Sequence, residues 1–75
     1  MAKLPRLSGK EVVKALTKVG FESVRQRGSH LIMIKQSPQG KIPLVVPMHK
    51  EIDRGTLLEI IRQSKMSKDE FLELL

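Results

Sequence analysis

A two-residue turn, Gly28-Ser29, set between two strand-forming runs, constrains this chain more than any other feature. A glycine in a two-residue loop flanked by such runs is a hairpin signature. Closing that hairpin places Arg27 opposite His30, Arg25 opposite Ile32 and Val24 opposite Met33. Directly opposed residues share a face of the sheet. The stretch Arg25-Gln26-Arg27-Gly28-Ser29-His30 is therefore expected to carry one imidazole and two fixed cations to one end of a sheet. The run Leu31-Ile32-Met33-Ile34 that follows supplies apolar side chains to hold the second strand down.

The rest of the chain predicts a platform for that hairpin. Ser8 and Glu11 have the spacing of a capping box, and Leu7 and Val12 that of a hydrophobic staple, so a helix opens after Ser8. Val12, Ala15, Leu16 and Val19 form its apolar stripe, and Lys10, Lys14 and Lys18 a basic one. Gly20 supplies a left-handed stop. Strands are expected over residues 21–27, 30–36 and 41–47, with Ser37-Pro38-Gln39-Gly40 as the second turn. Pro43 and Pro47 make the third strand an edge.

A four-residue second loop then pairs Met33 with Leu44 and Leu31 with Val46. One face carries Val24, Leu31, Met33, Ile42, Leu44 and Val46 and is expected to meet the helices. The other carries Ser23, Arg25, Arg27, His30, Ile32, Ile34, Lys41 and Val45; Phe21 falls on this open face in the same register. Asp53 caps a second helix over residues 54–63, with Leu57, Leu58 and Ile61 inward. Ser67 and Glu70 repeat the capping box, with Met66 and Phe71 as staple, and Leu74 and Leu75 complete a short last helix. Strands grouped between helices predict an α+β fold, with helices on one face of the sheet.

Seventy-five residues make one small domain, expected to span residues 1–75. There is no cysteine, so no disulfide and no thiolate metal site. Two histidines alone do not make a zinc site, and the five glycines match no nucleotide fingerprint, so no metal and no cofactor is expected. The run Leu31–Ile34 is far too short to cross a membrane, and the start Met-Ala-Lys-Leu-Pro lacks a signal-peptide pattern. A cytoplasmic protein is the expectation.

A formal charge of +6 points to a polyanionic partner. That charge is segregated. Residues 1–50 hold ten Lys/Arg against two Glu, whereas residues 54–75 hold four of each sign. Only Phe21 and Phe71 are aromatic, too few to read single-stranded RNA by stacking. RNA would be held by phosphates, sugars and shape. A helix-turn-helix built from the last two helices is excluded, because Asp69, Glu70 and Glu73 would repel DNA.

RNA cleavage without a metal needs a base for the 2′-hydroxyl proton, an acid for the leaving oxygen and cations beside the phosphorus. His30 between Arg25 and Arg27 meets the first and third needs, since an imidazole titrates near neutrality. Ser29 and Lys41 are candidate further RNA contacts; Lys35 falls on the core face. His49 follows Pro47, the residue opposite His30, and is a candidate phosphate contact or second acid/base group. The plain alternatives are a strand-end histidine and a loop histidine without a role.

Gly28-Ser29-His30 after the first strand, Val46-Pro47-Met48-His49 after the third, Gly55-Thr56-Leu57 opening the second helix, and the tail from Ile60-Ile61-Arg62-Gln63 to Phe71-Leu72 stand in a distinctive order. In that order and spacing the chain, from Ser8 to Leu75, resembles the HicA-like mRNA interferase toxins. The resemblance implies a fold like that of double-stranded-RNA-binding domains. It implies that His30 is catalytic, that mRNA is cleaved in the cytoplasm without a bound metal, and that a HicB-like antitoxin covers the site. It carries no catalytic role to His49. The competing expectations are a module that holds structured RNA by charge and shape without cutting it, and an interaction domain whose charge serves solubility. Growth arrest with transcript loss on expressing the chain alone separates the enzyme from both.

Overall fold

The computed structural model describes residues 3–75. The chain runs α1 (Gly9–Thr17), β1 (Glu22–Arg27), β2 (His30–Ser37), β3 (Gly40–Pro47), α2 (Arg54–Gln63) and α3 (Lys68–Leu72). The three strands form one antiparallel sheet in the order β1-β2-β3. A helix, a three-stranded sheet, a helix and a short last helix make the α+β, double-stranded-RNA-binding-domain-like arrangement that was expected.

Capping decides where the helices start. The Glu11 amide donates to Ser8 Oγ at 3.2 Å and the Ser8 amide to Glu11 Oε1 at 3.0 Å, so two of the orphan donors at the start of α1 are satisfied reciprocally. Ser67 and Glu70 close the same reciprocal pair at α3. Asp53 caps α2 through the Thr56 amide at 3.0 Å and the Thr56 hydroxyl at 2.6 Å. Gly20 adopts φ 101°, the left-handed stop after α1. No glycine follows α2; there Lys65 takes φ 67°, and the buried Ser64 hydroxyl donates to the Ile61 carbonyl at 2.6 Å.

The register of β2 with β3 is the expected one: His30 pairs with Pro47, Leu31 with Val46, Ile32 with Val45 and Met33 with Leu44. The pairing simply continues to Ser37 and Gly40, leaving Pro38-Gln39 as the loop. Between β1 and β2 the register holds from Arg27–His30 to Arg25–Ile32 and then shifts, so that Ser23 pairs with Met33 and Glu22 with Ile34. Val24 is the extra residue of a β-bulge. The bulge corrects two expectations. Val24 is not opposite Met33 on the core face but is 54% exposed. Phe21 is not on the open face but is 1% exposed in the core. One inserted residue inverts the facing of everything before it, because side chains alternate with period two. Ser23 likewise leaves the open face, its new partner Met33 being a core residue.

The core lies between the inner face of the sheet and the helices. Met33, Leu44 and Val46 share one core cluster with Val12, Ala15 and Leu16 of α1, Leu57, Ile60 and Ile61 of α2, and the fully buried Phe21 and Phe71. Burial of each large side chain contributes about 1.5–3 kcal/mol. In α2 the inner stripe is Leu57, Ile60 and Ile61; Leu58 is 39% exposed, contrary to expectation. Residues 57, 58 and 61 and residues 57, 60 and 61 both fit one helix side, and docking on β3 selects the second. The last helix ends at Leu72, so Leu74 and Leu75 lie beyond it; Leu74 is tied to α1 by the Lys18 ammonium, which donates to its carbonyl at 2.7 Å.

Candidate functional site

The hairpin is built by Gly28, whose φ of 59° is a left-handed conformation that side chains resist. The Gln26 side-chain amide donates to the Gly28 carbonyl at 2.9 Å and braces the turn from inside. His30 is the first residue of β2. It is flanked by Arg27 on β1 and Pro47 on β3, its direct partners in the two ladders. With strands about 4.8 Å apart, Arg27, His30 and Pro47 stand in a row across the end of the sheet. Arg25, two residues along β1, points to the same face as Arg27. Ser29, His30, Arg25 and Arg27 are all exposed.

The segment after β3 is clamped to this row. The Met48 amide donates to the Ser29 carbonyl at 2.6 Å, so the ladder continues past the strand onto the turn itself. The Gly9 amide donates to the His49 carbonyl at 2.9 Å. Gly9 is buried so closely here that a Cβ would lie 2.5 Å from the Pro47 carbonyl oxygen and 2.7 Å from Met48 Cα. Residues 47–49 are thus held between the hairpin turn and the start of α1. His49 emerges, exposed, at the His30 end, as does Lys50 beside it, while Lys10 follows the buried Gly9.

The electrostatics follow from what is and is not paired. The ion pairs among the described residues are Arg6 with Glu51, at 3.8 Å, and Arg62 with Glu59. Neither involves Arg25 or Arg27, and both residues are exposed. The carboxylates held below their ordinary values lie elsewhere. Asp53 is held down chiefly by the Thr56 hydroxyl and Glu70 chiefly by the Ser67 backbone, both as helix caps; Glu59 is held down chiefly by its hydrogen bond from Arg62. None of the three sits at the hairpin.

Five of the six candidate residues come together: Arg25, Arg27, Ser29, His30 and His49 share one end of the molecule. Lys41 does not. It pairs with Gln36, six residues along β2 from His30 and so roughly 20 Å away, and lines a shallow depression of about 310 Å³ with Glu22, Val24, Ile34 and Gln36. Lys35 is on the core side, its ammonium 5.9 Å from the centre of the Phe21 ring. Lys10, Lys50 and Gly9 are the neighbours that sequence reasoning missed as part of this site. Lys10 was visible only as one member of a basic helix stripe, and nothing local marks Gly9 as a contact.

The open face beyond the cationic row is apolar: Ile32 and Ile34 are half-buried, Val45 is 43% exposed, and the bulge adds Val24 to them. Among the described residues no helix is long and apolar enough to cross a membrane.

No curated protein matches the chain. The family model described as HicA toxin of bacterial toxin-antitoxin matches residues 9–66, most of the sequence. The match starts at Gly9, the residue packed against Pro47 and Met48, and takes in the hairpin, the clamped loop and all of α2. On that match the chain belongs to the HicA family of toxins of bacterial toxin-antitoxin systems.

Proposed function

We propose that this toxin is an endoribonuclease that cleaves mRNA in the cytoplasm, with His30 as the base that takes the 2′-hydroxyl proton. The 2′-oxygen attacks the adjacent phosphorus. A P–O2′ bond forms, the P–O5′ bond breaks, and the products are a 2′,3′-cyclic phosphate and a 5′-hydroxyl that gains a proton as it leaves. The nucleophile belongs to the substrate, so the step needs no metal. Arg25 and Arg27 offset the negative charge that grows on the phosphoryl oxygens. Ser29 and His49 are further contacts at the same end, and His49 is the other titratable imidazole there. Lys41 serves a phosphate of the same strand only if the RNA also reaches the far end of the sheet.

The observation that carries this reading is the placement of an exposed imidazole directly opposite one arginine and beside a second, neither of them in an ion pair among the described residues. Attack in line with the leaving oxygen requires a locally unstacked strand, which an exposed sheet end leaves room for. His30→Ala is expected to keep the fold and lose cleavage of a labelled single-stranded RNA in chelator by about 10²–10⁴-fold. A folded His30→Ala protein that cuts at the parent rate would overturn the assignment and leave a non-cleaving RNA-binding module as the better account.

The partner in this reading is a HicB-like antitoxin that covers the open face. Val24, Ile32, Ile34 and Val45 form an apolar area beside the cationic row, the kind of surface that an isolated domain seldom leaves without use. A partner with apolar side chains on this area and acidic ones over Arg25 and Arg27 would exclude RNA phosphates from His30.

A further inference from the structure

We propose that the RNA strand bound at His30 continues across the end of the sheet, over the loop at residues 48–50, and onto the start of α1, with Lys50 and Lys10 as phosphate contacts. This rests on the endoribonuclease reading and specifies the path its substrate takes. Two exits lead from His30. One follows the strands along the open face, and there a polyanion meets Ile32, Val45, Ile34 and Val24, which offer no side-chain donors over most of the roughly 20 Å to Lys41. The other crosses the strands, from Arg27 on β1 over His30 on β2 to Pro47 on β3, and reaches the clamped loop and α1.

On the second exit the backbone places Lys50 and Lys10 beside the clamped loop, and the two neighbouring carboxylates, Glu11 and Glu51, have partners of their own. Glu11 turns back to the Ser8 amide at 3.0 Å, and Glu51 is engaged by Arg6 at 3.8 Å. Lys10 and Lys50 are exposed and belong to neither ion pair. The backbone that carries them is fixed to the catalytic end by the Gly9–His49 and Met48–Ser29 hydrogen bonds and by a packing contact that admits no Cβ at residue 9. Lys14 lies one helical turn beyond Lys10, about 6 Å along the axis, and extends the row. With Phe21 and Phe71 both fully buried, the rings the path offers are the imidazoles of His30 and His49, and phosphate contacts carry the rest of it.

The test uses the His30→Ala protein, so that RNA stays intact, and a labelled single-stranded RNA of mixed sequence. Binding is measured against salt concentration. On a single strand, removing the cation that neutralises one phosphate lowers the log–log slope by about 0.7. Lys10→Ala and Lys50→Ala should each lower it by about that amount and together by about 1.4, while Lys68→Ala on α3 leaves it unchanged. In the otherwise wild-type enzyme the same two changes should raise KM more than they lower kcat. If the slope ignores Lys10 and Lys50 but falls with Lys41→Ala, the strand runs along the open face and the proposal is wrong. Cleavage by the wild-type protein is scored separately. A protein that binds through Lys10 and Lys50 yet never cuts keeps the path and loses the enzyme, whereas one that cuts with an unaltered slope keeps the enzyme and loses the path.

Discussion

Gly9 and Gly28 show two different ways in which a single position controls this molecule. At Gly28 there is space, since no atom lies within 4 Å of where a Cβ would be, but φ is 59°. At Gly9 the backbone is helical, but a Cβ would collide with the Pro47 carbonyl and Met48 Cα. Gly28→Ala should therefore cost about 1 kcal/mol or more through backbone strain alone. Gly9→Ala should cost about 1–3 kcal/mol through overpacking, because both obstacles are backbone and cannot swing aside. It should also displace the 47–49 segment from the hairpin turn. Chemical denaturation and RNA cleavage measured on both variants check this. A Gly9→Ala protein as stable and as active as its parent would mean that α1 is not seated against this loop.

The elements of the fold are set by local devices whose strength can be read at their ends. Asp53 is instructive because its cap also titrates. Hydrogen bonds from the Thr56 hydroxyl and amide hold its carboxyl below the ordinary value, so the unfolded chain binds its proton more readily than the folded one. The contribution is complete above the usual aspartate range, near pH 4, and is lost as the pH falls through the lower, folded-state value. Asn is as good a cap and does not titrate in this range. Asp53→Asn should accordingly leave Tm near neutrality almost unchanged and flatten its fall in acid. Superimposable acid limbs for the two proteins would show that the cap contributes no linkage. The bulge at Val24 is the other decisive local device, and it acts at a distance by sending Phe21 inward.

At the scale of the whole molecule the sheet divides the labour. Its inner face is closed by α1 and α2, and its outer face combines a cationic end with an apolar middle. Because Ile32 pairs with Arg25 and with the exposed Val45, it belongs to the outer face. Ile32→Lys should then leave the free toxin folded, with a melting transition close to the parent's, and weaken an antitoxin that covers this face. Binding of that antitoxin stabilises the native state by RT ln(1 + [L]/Kd), so the weakening is visible as a smaller rise in Tm on mixing. An undiminished rise for Ile32→Lys would show that inhibition works from another surface.

Much of this architecture was legible in the residues alone. Ser8, Asp53 and Ser67 announced their helices, the Gly28-Ser29 turn announced the hairpin, and the alternation in β2 and β3 set their register, because caps, turns and period-two patterns are interactions between residues a few positions apart. The cluster of Arg25, Arg27, Ser29 and His30 was legible for the same reason, as it lies within one hairpin. Local pattern could not supply the bulge or the choice of Ile60 over Leu58, whereas the distance of Lys41 from His30 follows from the β2–β3 register already set by alternation. The bulge and the choice of Ile60 are settled by which arrangement lets Phe21 and α2 fill the core against β3, a comparison between packings in which no single segment holds the answer. The seating of Gly9 on Pro47 and Met48, and with it the place of Lys10 and Lys50 beside the hairpin, joins segments about forty residues apart, and only the closed tertiary structure brings them together.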